Sequence, residues 1–142
     1  MNKLQIKTNQ KEEFIDLTSK IQDTVQSSGI KNGLCMVYVP HTTAGITINE
    51  NADPSVKHDI LMALKKMVPD SLAYTHAEGN SPSHIKASLI GSSVEIIIQE
   101  GHLALGTWQG IFFCEFDGPR RRQVYLQFLT VFPPLSHFTF FM

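Results

Sequence analysis

Seven consecutive residues, Gly33-Leu34-Cys35-Met36-Val37-Tyr38-Val39, are apolar on both alternating faces. Successive side chains of an extended chain point to opposite sides, so this segment needs cover above and below and reads as an interior strand. It runs through Pro40 into His41-Thr42-Thr43, after which Ile46 and Ile48 alternate with Thr47 and Asn49 as a second strand. Upstream, Leu4, Ile6 and the Phe14-Ile15-Asp16-Leu17 stretch read as an opening strand pair. Leu17, Ile21 and Val25 then recur at every fourth position before Gly29, the pattern of a short amphipathic helix with a glycine stop. Asp53-Pro54 starts a second helix, with a capping side chain ahead of proline at the first helical position. Its apolar face is Val56, Ile60, Leu64 and Met67, ending before Pro69. Ser81-Pro82 announces a third helix, stopped by Gly91, with Ile85 and Leu89 as its expected core-facing pair. Ser93 to Gln99, Gly110 to Phe116 and Gln123 to about Leu129 read as further strands. Helices interleaved with more numerous strands, several in hairpin-like succession, predict an α+β class with a mostly antiparallel or mixed sheet.

At 142 residues, with no internal repeat or linker, the chain is expected to form one domain over 1–142. A hydrophobic fraction of 42% against 18% charged residues supplies a core and excludes a disordered reading. The net charge of −1 provides no general field for nucleic acid or an anionic membrane, so affinity for anions must be local. No apolar run approaches bilayer length, and the polar start lacks a signal peptide's apolar segment, which argues against a membrane partner. Cys35 and Cys114 stand apart among apolar neighbours and suit buried thiols in a reducing cytoplasm. The three arginines are consecutive, Arg120, Arg121 and Arg122, so bidentate capture of phosphate or carboxylate within one protomer has to occur there.

Of six histidines, His41, His76 and His84 stand out. His41 ends an apolar strand, where a side chain leaves the core. His76 and Glu78 are two apart and share a side in extended chain. His84 lies in the first turn of the third helix, whose positive end favours a neutral ring with a free lone pair. Three neutral imidazoles with one open position suit zinc or a related divalent metal, with Glu78 as ligand or base. The spacing His76-x-Glu78-x5-His84 with a distant His41 matches no compact metal signature, so ligating and merely polar histidines both stand. His58, His102 and His137 lack partners in sequence and read as surface groups. Thr42, Thr43, Asn49, Asn51, Glu78, Asn80 and Ser81 form a polar set suited to an anion, although Asn80 or Ser81 also reads as a helix cap. Lys86 and Ser88 extend that set along the helix, with a solvated lysine as the alternative. Gly106-Thr107-Trp108-Gln109-Gly110 places the only tryptophan in a tight loop, either buried in the core or offered to a ring.

Five blocks together, His41-Thr42-Thr43-Ala44, Asn49-Glu50-Asn51-Ala52-Asp53-Pro54, Glu78-Gly79-Asn80-Ser81, His84-Ile85-Lys86-Ala87-Ser88-Leu89 and Leu105-Gly106-Thr107-Trp108-Gln109-Gly110, closely resemble the YjbQ-like family. The resemblance covers about residues 3 to 128 and is specific because all five blocks fall in order. It implies an α+β sandwich with about three helices, a homotrimer, and a polar pocket in which His41, His76 and His84 hold a divalent metal, Zn or Mg. It further implies a secondary thiamine-phosphate synthase, a transferase joining hydroxymethylpyrimidine diphosphate to thiazole phosphate with release of pyrophosphate. In that reading the partner is a phosphorylated small molecule, and neither nucleic acid nor membrane is involved. Glu78 and His41 are catalytic, and Thr43, Asn49, Asn51, Lys86, Ser88, Trp108 and Arg120 bind substrate. Two alternatives use the same pocket: a metal-dependent phosphate-ester hydrolase in which Glu78 activates water, and a non-catalytic trimer that binds a small anion. Residues 129–142 depart from the family as a hydrophobic tail, and five of the nine phenylalanines lie from Phe128 onward.

Overall fold

The computed structural model describes residues 1–131. In chain order the elements are β1 (Asn2–Lys7), β2 (Glu13–Asp16), α1 (Thr18–Ser28), β3 (Gly33–Tyr38), β4 (Ala44–Glu50), α2 (Pro54–Met67), α3 (Ser81–Ile90), β5 (Ser93–Gln99), β6 (His102–Leu103), β7 (Gln109–Glu115) and β8 (Arg121–Thr130). They make a five-stranded sheet in the order β1-β8-β3-β5-β6 and a three-stranded sheet in the order β2-β7-β4. Every pairing is antiparallel. The α+β class and the central place of β3 are as the sequence predicts.

The two sheets face each other across the main core. Cys35, Val37, Ile96, Ile98, Val124 and Leu126 of the larger sheet meet Ile46, Ile111 and Phe113 of the smaller one, with Leu17 just before α1 and Ile21 and Val25 within it closing the end. Strand β7 is covered on both sides. Its alternate residues Phe112 and Cys114, with Phe116 just beyond, join Phe14, Leu64 and Ala87 in a second cluster under α2 and α3. The layers are therefore five-stranded sheet, three-stranded sheet and helix pair, a sandwich in which, among the described residues, one face of the larger sheet is left uncovered. The two cysteines are free and buried. Burial pushes the Cys35 thiol up to about 12 and raises Cys114 as well, so both are inert packing groups.

Helix boundaries follow the sequence signals. Asp53 Oδ1 accepts from Ser55 N–H at 2.9 Å and Pro54 opens α2, while Gly29 ends α1 in the left-handed region at φ +73°. Four sequence expectations are corrected. The opening strands do not pair with each other: β1 joins β8 of one sheet and β2 joins β7 of the other. Met67 is 68% exposed, because the buried positions at this end of α2 are Leu64 and, just past the helix, Val68, four residues apart, and Met67 lies off that line. Helix α3 is rotated, with Pro82, Ser83, Lys86 and Ala87 buried while Ile85 and Leu89 are 38% and 57% exposed. The supposed tail also begins later, since Leu129 and Thr130 pair with Leu34 and Gly33 as the end of β8. Residues 132–142, with His137 and the rest of the hydrophobic tail, lie outside the described residues.

Candidate functional site: a histidine-lined cleft beside α3

The short connection from β3 to β4 carries Pro40, His41, Thr42 and Thr43, and α3 packs alongside it. Four contacts fix the helix there. Asn80, at its N-terminus, donates from Nδ2 to Asp117 Oδ2 at 2.9 Å instead of capping the helix, and Ser83 Oγ donates to Phe116 O at 2.6 Å. Lys86 Nζ, with the side chain 1% exposed, pairs with Glu12. Beyond the C-terminus, Gly91 O accepts from Ile46 N–H of β4 at 3.0 Å. This approach needs glycine on the facing strand, because a Cβ on Gly45 would lie 2.7 Å from Gly91 O.

Between the helix and the β3–β4 connection lies a cleft of two adjoining spaces. One, about 400 Å³, is lined by Pro40, His41, Thr42, Thr43, His76, Glu78, Asn80, His84, Arg120 and Arg122. The other, about 520 Å³, shares His41, Thr42 and His84 and continues along Ala44, Ala87, Ser88, Gly91 and Ser92. The three imidazoles singled out in the sequence thus reach one cleft. The rings of His76 and His84 meet edge to face with centroids 5.3 Å apart, and Glu78 Oε2 is 3.9 Å from His76 Nε2 at the exposed rim.

The floor is polar and rests on a buried ion pair. Arg122, 5% exposed, donates from Nε to Glu115 Oε1 and from Nη2 to Glu115 Oε2 and Thr43 Oγ1. Glu115, 0% exposed, also accepts from Thr8 Oγ1 and from the N–H groups of Phe116 and Asp117. Arg120 lies at the surface, holding Asp117 Oδ2 through Nη2 and Asp117 O through Nε. Partial burial pushes the Asp117 carboxyl up, but the Asn80 amide and the Arg120 guanidinium outweigh it and hold it below the usual carboxylate range. His41 is held below the ordinary imidazole range by burial first and by the nearby Arg122 charge second. Its Nε2 accepts the backbone N–H of Gln123 at 2.9 Å, so the neutral ring carries its proton on Nδ1.

That tautomer decides the metal question. A ligating imidazole must offer a lone pair, and the acceptor nitrogen of His41 is already used by β8. Among the described residues, no group of three or more His, Cys, Asp or Glu is arranged to hold a metal ion. The divalent centre at His41, His76 and His84 does not fit these residues, and the metal-dependent hydrolase with Glu78 as base falls with it.

The other expected site residues divide. Thr43 and Arg120 line the cleft, and Ser88 lines its extension, with its hydroxyl donated to His84 O at 2.9 Å. Lys86 is buried in its ion pair and lines neither space. Asn49, Asn51 and Trp108 sit at the far end of the three-stranded sheet. Ala44 pairs with Glu115 at the cleft end and Asn49 with Gly110 at the other, five residues or about 17 Å along the strand. There Asn51 N–H donates to Trp108 O, and the indole is 62% exposed. Sequence reasoning named Arg122 only as one of three consecutive arginines, with Arg120 chosen among them, and missed Glu115 altogether. Strand parity carries both: Arg122 alternates with Val124 and Leu126, and Glu115 with Ile111 and Phe113, so each faces inward.

Comparison with known proteins places this architecture. The profile of the family described as UPF0047 protein YjbQ-like matches residues 2–131. The chain belongs to this family. It is 58% identical over 127 residues to the UPF0047 protein of Methanocaldococcus jannaschii, covering 89% of this chain and 92% of that one. It is 50% identical to YugU of Bacillus subtilis, covering 89% and 96%. A solved YjbQ/UPF0047 structure from Clostridium acetobutylicum superposes with a TM-score of 0.89 at 53% identity, covering 91% of this chain and 100% of that one. A Sulfolobus solfataricus structure described as a YbjQ-like protein of unknown function gives 0.88 at 34% identity, covering 92% and 96%. These relatives carry no thiamine-phosphate synthase description. With the misfit of the metal, they overturn the synthase reading that the resemblance implied. Among the described residues no helix is long and apolar enough to cross a membrane.

Proposed function

We propose that the cleft beside α3 is the working site of a small-molecule enzyme, in which imidazole moves a proton on a bound substrate carrying an oxyanion. The observation behind this reading is the lining: of the ten residues around the inner space, eight can donate hydrogen bonds and only Glu78 bears a negative charge. Imidazole is the side chain that exchanges protons near neutrality, and His84 has no ring hydrogen bond to another described residue to fix its tautomer. His41 has the complementary part, a neutral ring that presents an N–H. The phosphorylated class implied by the resemblance and a carboxylate share the oxyanion these donors would meet. A cytoplasmic setting agrees with two free buried thiols. A homotrimer would cover the outer face of the five-stranded sheet, where Tyr38, Ile97 and Leu129 are exposed, and light scattering reads it directly.

The test is histidine-selective NMR on the whole chain, titrated separately with acetate, inorganic phosphate and sulfate. At least one anion is expected to shift the His41 and His84 ring signals saturably while leaving His58 and His102 unmoved. No shift, or an equal shift of every histidine, refutes the reading.

A further inference from the structure

Arg122 has a nitrogen that the fold does not use. Glu115 takes Nε and one hydrogen of Nη2, and Thr43 takes the rest of Nη2. Nη1 has no acceptor among the described residues, although the side chain is 5% exposed and lines the cleft. Thr43 is in the same position. It is 6% exposed and lines the same space, and its Oγ1 accepts from Arg122 while its own hydroxyl proton has no acceptor among the described residues. Two adjacent donors on nine-tenths-buried side chains, both at the floor of one cleft, need a ligand oxygen or water opposite them.

The charge around them is already balanced. Arg122 is matched by Glu115 and Arg120 by Asp117, and Glu78 adds a negative charge at the rim. The floor therefore offers directed hydrogen bonds without a surplus of positive charge. Repulsion from Glu78 scales with the charge of the guest, so a dianion meets about twice that felt by a singly charged oxyanion while both find the same two donors. We infer that Arg122 Nη1 and the Thr43 hydroxyl form the oxyanion subsite of the cleft, and that this subsite takes a carboxylate in preference to a dianion. This rests on the cleft being the ligand site, and it moves the anion-binding role from Arg120, where the sequence put it, to Arg122.

The test is calorimetry with acetate and with sulfate at matched ionic strength and about pH 8, where an ordinary imidazole is neutral. Acetate is expected to bind at least about tenfold tighter than sulfate, since the two donors are common to both anions and only the extra charge of sulfate separates them. Thr43→Val is expected to weaken acetate about fivefold or more, with Thr43→Ser restoring it. Arg122→Lys, which keeps the charge opposite Glu115, is expected to remove the preference in protein shown to be folded by circular dichroism. Sulfate binding as tightly as acetate, or Thr43→Val leaving acetate unchanged, overturns the subsite while the imidazole shifts of the preceding test stand. Neither anion binding, with silent imidazoles, overturns the subsite and the proposed function together.

Discussion

Replacing Glu115 with Gln isolates the floor of the cleft as a structural element. The Glu115 carboxylate accepts five hydrogen bonds: Oε1 from Arg122 Nε and Thr8 Oγ1, and Oε2 from Arg122 Nη2 and the N–H groups of Phe116 and Asp117. Glutamine has nearly the same shape, but one end becomes a donor. Either orientation turns an NH₂ group toward at least two donors. The Arg122 guanidinium also keeps its charge at 5% exposure with only a neutral amide oxygen and Thr43 left to accept from it. Removing one partner of a buried pair costs about 3–5 kcal/mol, because the other charge is left uncompensated. With a urea m-value of about 2 kcal/mol/M, typical of small proteins, the denaturation midpoint of Glu115→Gln should fall by about 2 M. His58→Ala, at an exposed position on α2, supplies the control and should stay within about 0.5 kcal/mol of the parent. A loss below about 1 kcal/mol for Glu115→Gln would falsify the claim that this pair carries the junction of β7, β8 and the β3–β4 connection.

Three further outcomes follow from named contacts. Because burial and Arg122 lower the His41 pKa in the folded chain, the unfolded chain binds more protons as pH falls below about 6.5. His41 therefore contributes to stability in full above that pH and progressively less as pH drops toward its folded value. Urea stability measured at pH 7.5 and 5.5 should drop less in His41→Gln than in the parent. Glu12→Ala strands the buried Lys86 ammonium and should cost about 3 kcal/mol. Lys86→Met leaves Glu12, 21% exposed, free to hydrate and should cost less than half as much; equal losses in chemical denaturation would remove the asymmetry argued for this pair. Leu89→Gln should change stability by no more than about 0.5 kcal/mol, since its side chain faces out of α3, and a loss near that of a core leucine would return the helix to the orientation its apolar pattern suggested.

How the sequence and the structure divide follows from which forces act locally. The interior strand, the glycine stop of α1 and the capped start of α2 were legible because periodicity and capping are decided within a few residues. The partners of β1 and β2 were not, because adjacent strands in the chain were assigned to different sheets by the core they each bury. Helix α3 misled for a related reason. Its apolar pair points outward because Ser83 and Lys86 are tied to Phe116 O and Glu12, contacts whose partners lie 33 and 74 residues away. For the site, block order gathered His41, Thr43 and His84, which line one cleft together with His76 and Arg120. It also gathered Asn49, Asn51 and Trp108, which belong to the opposite end of the same sheet, because motif membership carries no distance.

The histidines show the same limit at the level of single atoms. Their convergence was readable as a set of residue types, and a set of imidazoles is what a metal centre requires. Whether a ring can ligate depends on which nitrogen is free, and for His41 that is settled by the backbone N–H of Gln123, 82 residues further along. No spacing rule contains that contact. The same strand delivers Arg122 into the floor one residue earlier, so β8 both takes the lone pair that a metal would need and supplies the guanidinium that an oxyanion would use. The chemistry of the cleft is thus set less by the residues that line it than by the register in which β8 passes beneath them.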